Sequence, residues 1–228
     1  GDMKPPLNIY FSGYRPAEGF EGFVMMRRMG SPFILFSDPR LEGGSFYMGS
    51  QELEDQIVAY IDQYLDWLGF GPKEMNFSGL SMGTFGALYY GSSYSPHAIL
   101  VGKPIVNLGD VAANLKFIRP DEFGTSLDMM QLLVGQVSRE GIDLLNQRFW
   151  DRFNQADLKD TILAMAYMRD DDYDQLAYPK ILEALYDHPV RIISSSRPGR
   201  HNDASAPIVE WFLTQYKEIM ERDFGRIE

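Results

Sequence analysis

The chain of 228 residues contains no cysteine. That excludes disulfides, cysteine-ligated zinc, iron–sulfur clusters and a cysteine nucleophile. A covalent catalyst must then use Ser, Thr, Lys or a carboxylate. Basic residues are also scarce: 21 Lys and Arg stand against 32 Asp and Glu, a formal net charge of −11. Binding the nucleic-acid backbone needs clustered Lys and Arg, so no nucleic-acid partner is expected. No apolar run approaches the ~18 residues of a membrane span, and no signal peptide is expected at the start. The opening Gly1-Asp2-Met3-Lys4 reads as a remnant of tag cleavage, because the first strand follows almost at once. Histidine is limited to three residues, which makes the search for a general base short.

What is present is core material. Hydrophobic residues make up 45% of the chain and aromatics 14%, a composition that folds. The length fits one domain, residues 1–228. Apolar runs alternate with amphipathic helices from end to end, the pattern of a parallel α/β sheet. Strands are expected at residues 7–12, 32–37, 74–78, 98–102 (continuing toward 106), 161–168 and 190–195. Helices are expected at 20–29, 51–68, 84–90, 179–186 and 206–222. The stretch of about 110–158 carries no strand signal but at least two amphipathic helices, near 127–134 and 142–153. It reads as a helical cap insertion between the fourth and fifth strands.

Residues Gly79-Leu80-Ser81-Met82-Gly83 fit G-x-S-x-G, the nucleophile elbow. A sharp strand-to-helix turn strains the serine backbone and tolerates no bulk on either side, hence the flanking glycines. The turn lifts the hydroxyl off the sheet to a helix N-terminus, where amides stabilise negative charge. A glycine-rich turn without catalytic purpose is the alternative. The predicted strand before the motif, the predicted helix after it and Gly86 in that helix favour the elbow.

Topology selects the base. In open parallel sheets the site lies beyond the carboxyl ends of the strands. His97 and His188 each precede a strand and belong on the opposite edge, as ordinary loop hydrogen bonders. His201 alone follows one, which gives the order Ser…Asp…His of α/β-hydrolases. The expected fold is therefore α/β-hydrolase-like: three layers around a mostly parallel sheet.

A carboxylate must orient the imidazole and stabilise the imidazolium. Asp170, Asp171 and Asp172 all follow the strand before that of His201, and at least two of them are expected to be solvated loop residues. Asp171 is preferred, on the view that Asp170 still belongs to the strand end and Asp172 turns away. Asp110 is the outside alternative, and Asp38 reads as a turn residue. A metal site built from carboxylates alone is not expected. The oxyanion hole needs two amides: Met82, after the nucleophile, and Tyr14, which follows the flexible Gly13. Arg15 reads either as a ligand for a substrate carbonyl or as a surface ion-pair partner. Asn202 and Asp203 are expected to cap the last helix. Phe123, Phe149 and Trp150 offer a sugar-stacking platform, with core packing the preferred role for each. Phe23, Met25, Met26, Met129 and Met130 read as packing residues.

Four runs go beyond the elbow: residues 10–22 (YFSGYRPAEGFEG), 38–44 (DPRLEGG), 79–91 (GLSMGTFGALYYG) and 101–109 (VGKPIVNLG). On these the chain resembles the second Asp class of accessory Sec system proteins, over essentially its whole length, as the C-terminal hydrolase-like part of a longer protein. Its first strand matches the third of a full α/β-hydrolase sheet, so an excised catalytic part is expected. The resemblance implies a cytoplasmic component of a Gram-positive accessory secretion pathway, peripheral at the membrane through the secretion complex. It implies similarity to carbohydrate esterases but O-acetyltransferase activity, modifying N-acetylglucosamine on serine-rich repeat adhesins before export. The implied partners are the glycosylated adhesin, other accessory Sec proteins and the accessory SecA motor. No permanently bound cofactor or metal is expected; an acetyl donor such as acetyl-CoA would be a cosubstrate. The family's serine falls on Ser81, its histidine on His201, and its acid within Asp170–Asp172, best on Asp171. Related members can carry Glu there, and Asp preserves the chemistry. Two other readings remain: a plain serine esterase or deacetylase, and a non-catalytic scaffold subunit.

Overall fold

The computed structural model describes residues 2–14, 19–41, 44–122 and 124–226. Its elements run β1 (Leu7–Phe11), α1 (Phe23–Arg28), β2 (Phe33–Phe36), α2 (Gln51–Leu68), β3 (Met75–Leu80), α3 (Met82–Gly91), β4 (Ala98–Gly102), α4 (Leu108–Ile118), α5 (Ser126–Val134), α6 (Arg139–Phe153), β5 (Ile162–Met168), α7 (Ala177–Ala184), β6 (Arg191–Arg197) and α8 (Ser205–Phe224). The strands form one sheet in the order β2-β1-β3-β4-β5-β6, and every pairing is parallel.

The alternation of side chains along each strand divides the core between the two faces. Leu7, Ile9 and Phe11 of β1, Ile99 and Val101 of β4, and Leu163 and Met165 of β5 face one way, into a cluster with Ile61 of α2, Phe85 and Leu88 of α3, and Phe149 and Phe153 of α6. Tyr10, Ala98, Leu100, Ile162 and Ala164 face the other way, against Met26 of α1 and Phe212, Tyr216 and Ile219 of α8. Each such Leu, Ile or Phe contributes about 1.5–3 kcal/mol by leaving water. Helices therefore cover both faces, as the chain's alternating pattern implied.

Helix α2 shows how local chemistry sets the ends. The Ser50 hydroxyl accepts from the Leu53 amide at 3.2 Å, and Gly69 closes the helix at φ 70. One expectation needs correction. Strand β4 stops at Gly102 instead of continuing toward Val106, because Lys103 adopts φ 59 and Pro104 follows. Among the described residues the stretch between β4 and β5 holds three helices, in keeping with the expected minimum of two, and α4 is the one without a place in the sequence reading.

The strand order reverses beside β1: chain connections lead from β1 to β2 on one side, and β3 pairs on the other. The loops after β1 and β3 diverge there and leave a crevice at the carboxyl edge. Ser81 follows β3 at that point, and Tyr14 lies in the loop after β1.

Candidate active site

The turn between β3 and α3 forces Ser81 to φ 51 and ψ −118, a conformation that non-glycine residues rarely hold. Sterics explain the two glycines. A Cβ on Gly79 would lie 2.2 Å from the Gly83 carbonyl oxygen, and one on Gly83 would lie 2.0 Å from that of Phe11. The Ser81 amide donates to Gly102 O at 2.8 Å, and its carbonyl accepts from Thr84 Oγ1 at 2.6 Å. The serine is thus braced from β4 and from α3.

His201, in the loop after β6, is 1% exposed. Its Nε2 lies 2.9 Å from Ser81 Oγ and its Nδ1 lies 2.8 Å from Asp171 Oδ2. An ionised carboxylate can only accept, so the ring proton belongs on Nδ1 and leaves Nε2 to accept from the serine hydroxyl. Asp171 is 7% exposed, and its Oδ1 accepts the Tyr173 amide at 2.8 Å and the Asp174 amide at 3.1 Å. Burial works to raise its carboxyl pKa. The His201 hydrogen bond, the imidazolium charge and those two amides outweigh burial and hold it below the usual carboxylate value.

The neighbouring acids have separate jobs. Asp170 Oδ2 accepts the Gly199 amide at 3.2 Å, and Asp172 Oδ1 accepts the His201 amide at 3.1 Å. Both tie the loop carrying the acid to the loop carrying the histidine; Asp170 is exposed, as expected of a loop residue, whereas Asp172 is half-buried. Asp110 is exposed in the first turn of α4. Asp38 forms a paired contact with Arg40 at 2.8 and 2.7 Å and accepts the Tyr47 amide at 2.9 Å, which organises the loop after β2. His97 pairs with Asp223 at 2.7 Å, where β4 begins beside the end of α8. The His188 amide donates to Leu185 O at 3.0 Å in the loop before β6.

Met82 opens α3, where the first amides have no intrahelical acceptor. The Gly13 amide donates to Glu21 Oε2 at 2.6 Å, and the Glu21 amide donates to Ser12 Oγ at 3.1 Å. The Tyr47 hydroxyl donates to the Ser12 carbonyl as well. The loop is thereby fixed up to Tyr14, whose side chain is 51% exposed and lines the same cavity as Ser81 and Met82. That cavity encloses about 410 Å³, with an apolar wall of Phe46, Met82, Ile105, Val111 and Leu115 and a polar rim of Asp121, Glu122, Tyr173 and Asn202. Arg15 and Phe123 lie outside the described residues.

The remaining expectations have mixed outcomes. Asn202 and Asp203 do not cap α8: no side chain caps that helix, Asn202 Nδ2 donates to the Tyr173 hydroxyl at 3.1 Å, and Asp203 Oδ2 accepts the Arg200 amide at 2.9 Å. Phe149 is buried in the core, and Trp150 Nε1 donates to Asn107 Oδ1 at 2.9 Å. Met26, Met129 and Met130 are buried, whereas Phe23 is exposed.

Several site residues escaped the sequence. The Tyr173 ring stacks on the His201 imidazole at 4.2 Å and 2°. Its hydroxyl donates to Glu122 Oε2 at 2.9 Å, and burial, reinforced by Glu122, pushes its pKa up to about 12. Asp174 is buried and accepts the Val106 and Asn107 amides at 2.7 Å each and Asn107 Nδ2 at 2.8 Å. Burial raises its carboxyl against those bonds. Lys103 is buried, donates to Ser205 Oγ at 3.0 Å and is lowered by burial, with Asp171 and Glu21 opposing. Tyr173 and Asp174 adjoin the acidic run and could have been sought there. Lys103 had only its place after a strand. Among the described residues no group of three or more His, Asp or Glu is gathered for a metal, and no helix is long and apolar enough to cross a membrane.

A family model described as "Asp2: Accessory Sec system GspB-transporter" matches residues 1–226. The chain is 53% identical over 228 residues to the accessory Sec system protein Asp2 of Staphylococcus aureus (strain NCTC 8325 / PS 47), covering 100% of this chain and 44% of that protein. It thus spans less than half the length of that relative. A solved Glycosylation Associate Protein (Gap123) complex from Streptococcus agalactiae contains a chain with 47% identity and a TM-score of 0.95, covering 100% of this chain and 44% of that one. The capsule O-acetyltransferase of Neisseria meningitidis serogroup A, also solved in complex with CoA, has 20% identity and a TM-score of 0.73, covering 96% of this chain and 88% of that one. The fold is α/β-hydrolase-like.

Proposed function

The chain belongs to the accessory Sec Asp2 family, and from that premise we propose that it is a serine-dependent carbohydrate O-acetyltransferase acting on N-acetylglucosamine of serine-rich repeat glycoproteins. The observation that carries the reading is the continuous hydrogen-bond chain from Ser81 through His201 to Asp171, 2.9 and 2.8 Å long, opening onto a cavity of about 410 Å³.

In this mechanism His201 Nε2 takes the Ser81 proton as Oγ attacks the acetyl carbonyl of the donor, acetyl-CoA acting as cosubstrate. The amides of Met82 and Tyr14 hold the oxyanion, a contribution worth roughly 10²–10³ in rate for each donor. Collapse of the tetrahedral intermediate expels the donor's thiolate, which takes the proton from His201 and leaves acetyl-Ser81. A sugar hydroxyl then gives its proton to His201 and attacks the acetyl-enzyme. The second collapse releases the O-acetyl sugar and restores Ser81. Asp171 keeps the imidazole in its tautomer and stabilises the imidazolium in both halves.

The same family membership underlies the remaining parts of the proposal. The protein works in the cytoplasm at the membrane face of the secretion machinery, in a complex with other accessory Sec proteins and the accessory SecA motor. Residues 1–228 act as one catalytic domain, with the helices between β4 and β5 as its cap.

Labelling with a serine-reactive fluorophosphonate tests the chemistry: an adduct at Ser81 that is absent from Ser81→Ala is expected. No adduct would leave a scaffold subunit. Mass spectrometry of the exported glycoprotein tests the acceptor, and acetate on its sugars should disappear with Ser81→Ala. Acetate release to water from small esters, unchanged by added acceptor, would replace transfer with hydrolysis.

A further inference from the structure

We propose that Arg119, at the end of α4, is a positioning residue for His201, acting through Asp172 and Tyr173. The role rests on the reading of His201 as the general base. His201 is held from three directions by three consecutive residues. Asp171 binds Nδ1, Asp172 Oδ1 accepts the backbone amide at 3.1 Å, and the Tyr173 ring covers the imidazole at 4.2 Å. Two of those three residues are held in turn by one guanidinium. Arg119 Nη1 lies 3.1 Å from Asp172 Oδ2, Nη2 donates to the Asp172 carbonyl, and the guanidinium carbon lies 5.4 Å from the Tyr173 ring centre.

The geometry separates this from an ordinary surface ion pair. The Arg119 side chain is 16% exposed, and its Nε is buried with no hydrogen-bond partner among the described residues. Glu122 Oε2, 3.7 Å from that Nε, also accepts from the Tyr173 hydroxyl. Among the described residues, every interaction of the guanidinium thus goes to a residue that touches His201 or to one that holds Tyr173. A planar fork with donors on two sides and a face for an aromatic ring is what this task requires; an ammonium supplies one point of charge. Asn114 of α4 adds a second donor to the Asp172 carbonyl at 2.8 Å. The start of α4 is tied to the same loop through Asp174 and Asn107. Both ends of the first helix after β4 are therefore fastened to the loop that bears the acid, and displacement of that helix is transmitted to the base.

Misplacing a catalytic group by about 1 Å costs on the order of 100-fold in rate. Arg119→Gln is expected to lower kcat for a p-nitrophenyl ester roughly 10- to 100-fold. KM should stay nearly constant, and the fluorophosphonate labelling rate at Ser81 should fall in parallel. Arg119→Lys should recover part of the loss. The low-field proton resonance of His201 Nδ1–H, assigned by its absence in His201→Ala, should shift or broaden in Arg119→Gln. Tyr173→Leu, which leaves the Asp172 pair intact, should move the same resonance and lower kcat. Tyr173→Phe keeps the ring and should do so less.

A purely structural Arg119 would lower thermal stability yet leave kcat and the resonance of the folded protein at their wild-type values, and that result overturns the proposal. If Arg119→Gln does not fold, a wild-type resonance and kcat in Tyr173→Leu overturn it equally. Failure of the wild-type protein to label at Ser81 would instead overturn the proposed acyl-transfer function. The resonance would still report how His201 is held.

Discussion

Gly83 is the position where one added methyl group should be felt at once in stability and in chemistry. A Cβ there would meet Phe11 O at 2.0 Å, Phe11 C at 2.8 Å and Ser12 C at 3.1 Å, all backbone atoms of β1 and the loop after it. No side-chain rotation relieves such contacts. With an ordinary carbon–oxygen approach of about 3.3 Å, α3 and β1 must part by roughly 1.3 Å. All ten residues of α3 are buried, so the retreat loosens Phe85, Leu88 and Tyr90 against the sheet, including the Phe11–Tyr90 stack at 5.7 Å. Overpacking of this kind costs about 1–3 kcal/mol, occasionally more. Ala gains about 1 kcal/mol over Gly inside a helix, and less in a first turn. The net expectation for Gly83→Ala is a loss of about 2 kcal/mol, read from the midpoint of chemical denaturation. Gly124→Ala is the comparator, since nothing among the described residues beyond its chain neighbours lies within 4 Å of its Cβ position; it should be neutral or stabilise by about 0.4–1 kcal/mol. A shift of α3 also moves Ser81 away from His201 and should cut ester turnover by roughly 100-fold. If Gly83→Ala matched the wild-type midpoint, the close packing of the elbow against β1 would not be what demands glycine there.

Asp171→Asn should lower kcat by about 10⁴-fold with little change in KM, because the amide no longer holds the required tautomer. The same carboxyl shapes acid stability. Its folded pKa lies below the unfolded value of about 3.9, so its contribution is complete above that pH and is lost as pH falls through the folded pKa. The acid limb of stability below about pH 4 should accordingly be shallower in Asp171→Asn, as measured by denaturation across a pH series. Ser50→Ala removes the cap of α2 and should cost about 1 kcal/mol by the same denaturation assay. Glu54, 2% exposed, accepts from Tyr89 Oη at 2.8 Å and from Arg148 Nη2 at 2.5 Å. Glu54→Leu leaves those donors unpaired and should cost roughly 2–3 kcal/mol, below the range for a fully buried pair, because Arg148 reaches solvent. An unchanged thermal midpoint would refute that pairing energy.

The fold was legible because its strands are buried on both faces and its helices carry one apolar stripe. Continuous apolar runs such as Ala98 to Gly102 and periodic ones such as Gln51–Leu68 leave little ambiguity. The failures sit where tertiary contacts override local pattern. Residues 103–106 look like a strand, but the β4 backbone turns at Lys103, whose ammonium is drawn in to Ser205. Helix α4 was missed for a related reason. Its first turn is organised by the Asp174 carboxylate, 67 residues away in sequence from Asn107, and by Asn146 Oδ1, which accepts the Gly109 amide.

The site divides along the same line. Ser81 and His201 could be placed from backbone topology, since an elbow and a loop after a strand are local features, and both reach the carboxyl edge of the sheet. The preference for Asp171 over its neighbours used a weaker argument, and the structure changes its terms. Strand β5 ends at Met168, so Asp170 is already outside it, and Asp172 turns toward His201 rather than away, binding its backbone instead of its ring. One tripeptide thus distributes three carboxylates over three tasks: Gly199 N, His201 Nδ1 and His201 N. Only Asp170 of this run is solvent-exposed; Asp171 is buried and Asp172 half-buried, and Arg119 neutralises part of their charge. What no local pattern could supply is Arg119 itself, 53 residues from the carbonyl it binds. Its sequence neighbours Phe117 and Ile118 are exposed, so the segment reads as an ordinary helix end. Only the packing of α4 across the carboxyl edge makes that end part of the histidine's support.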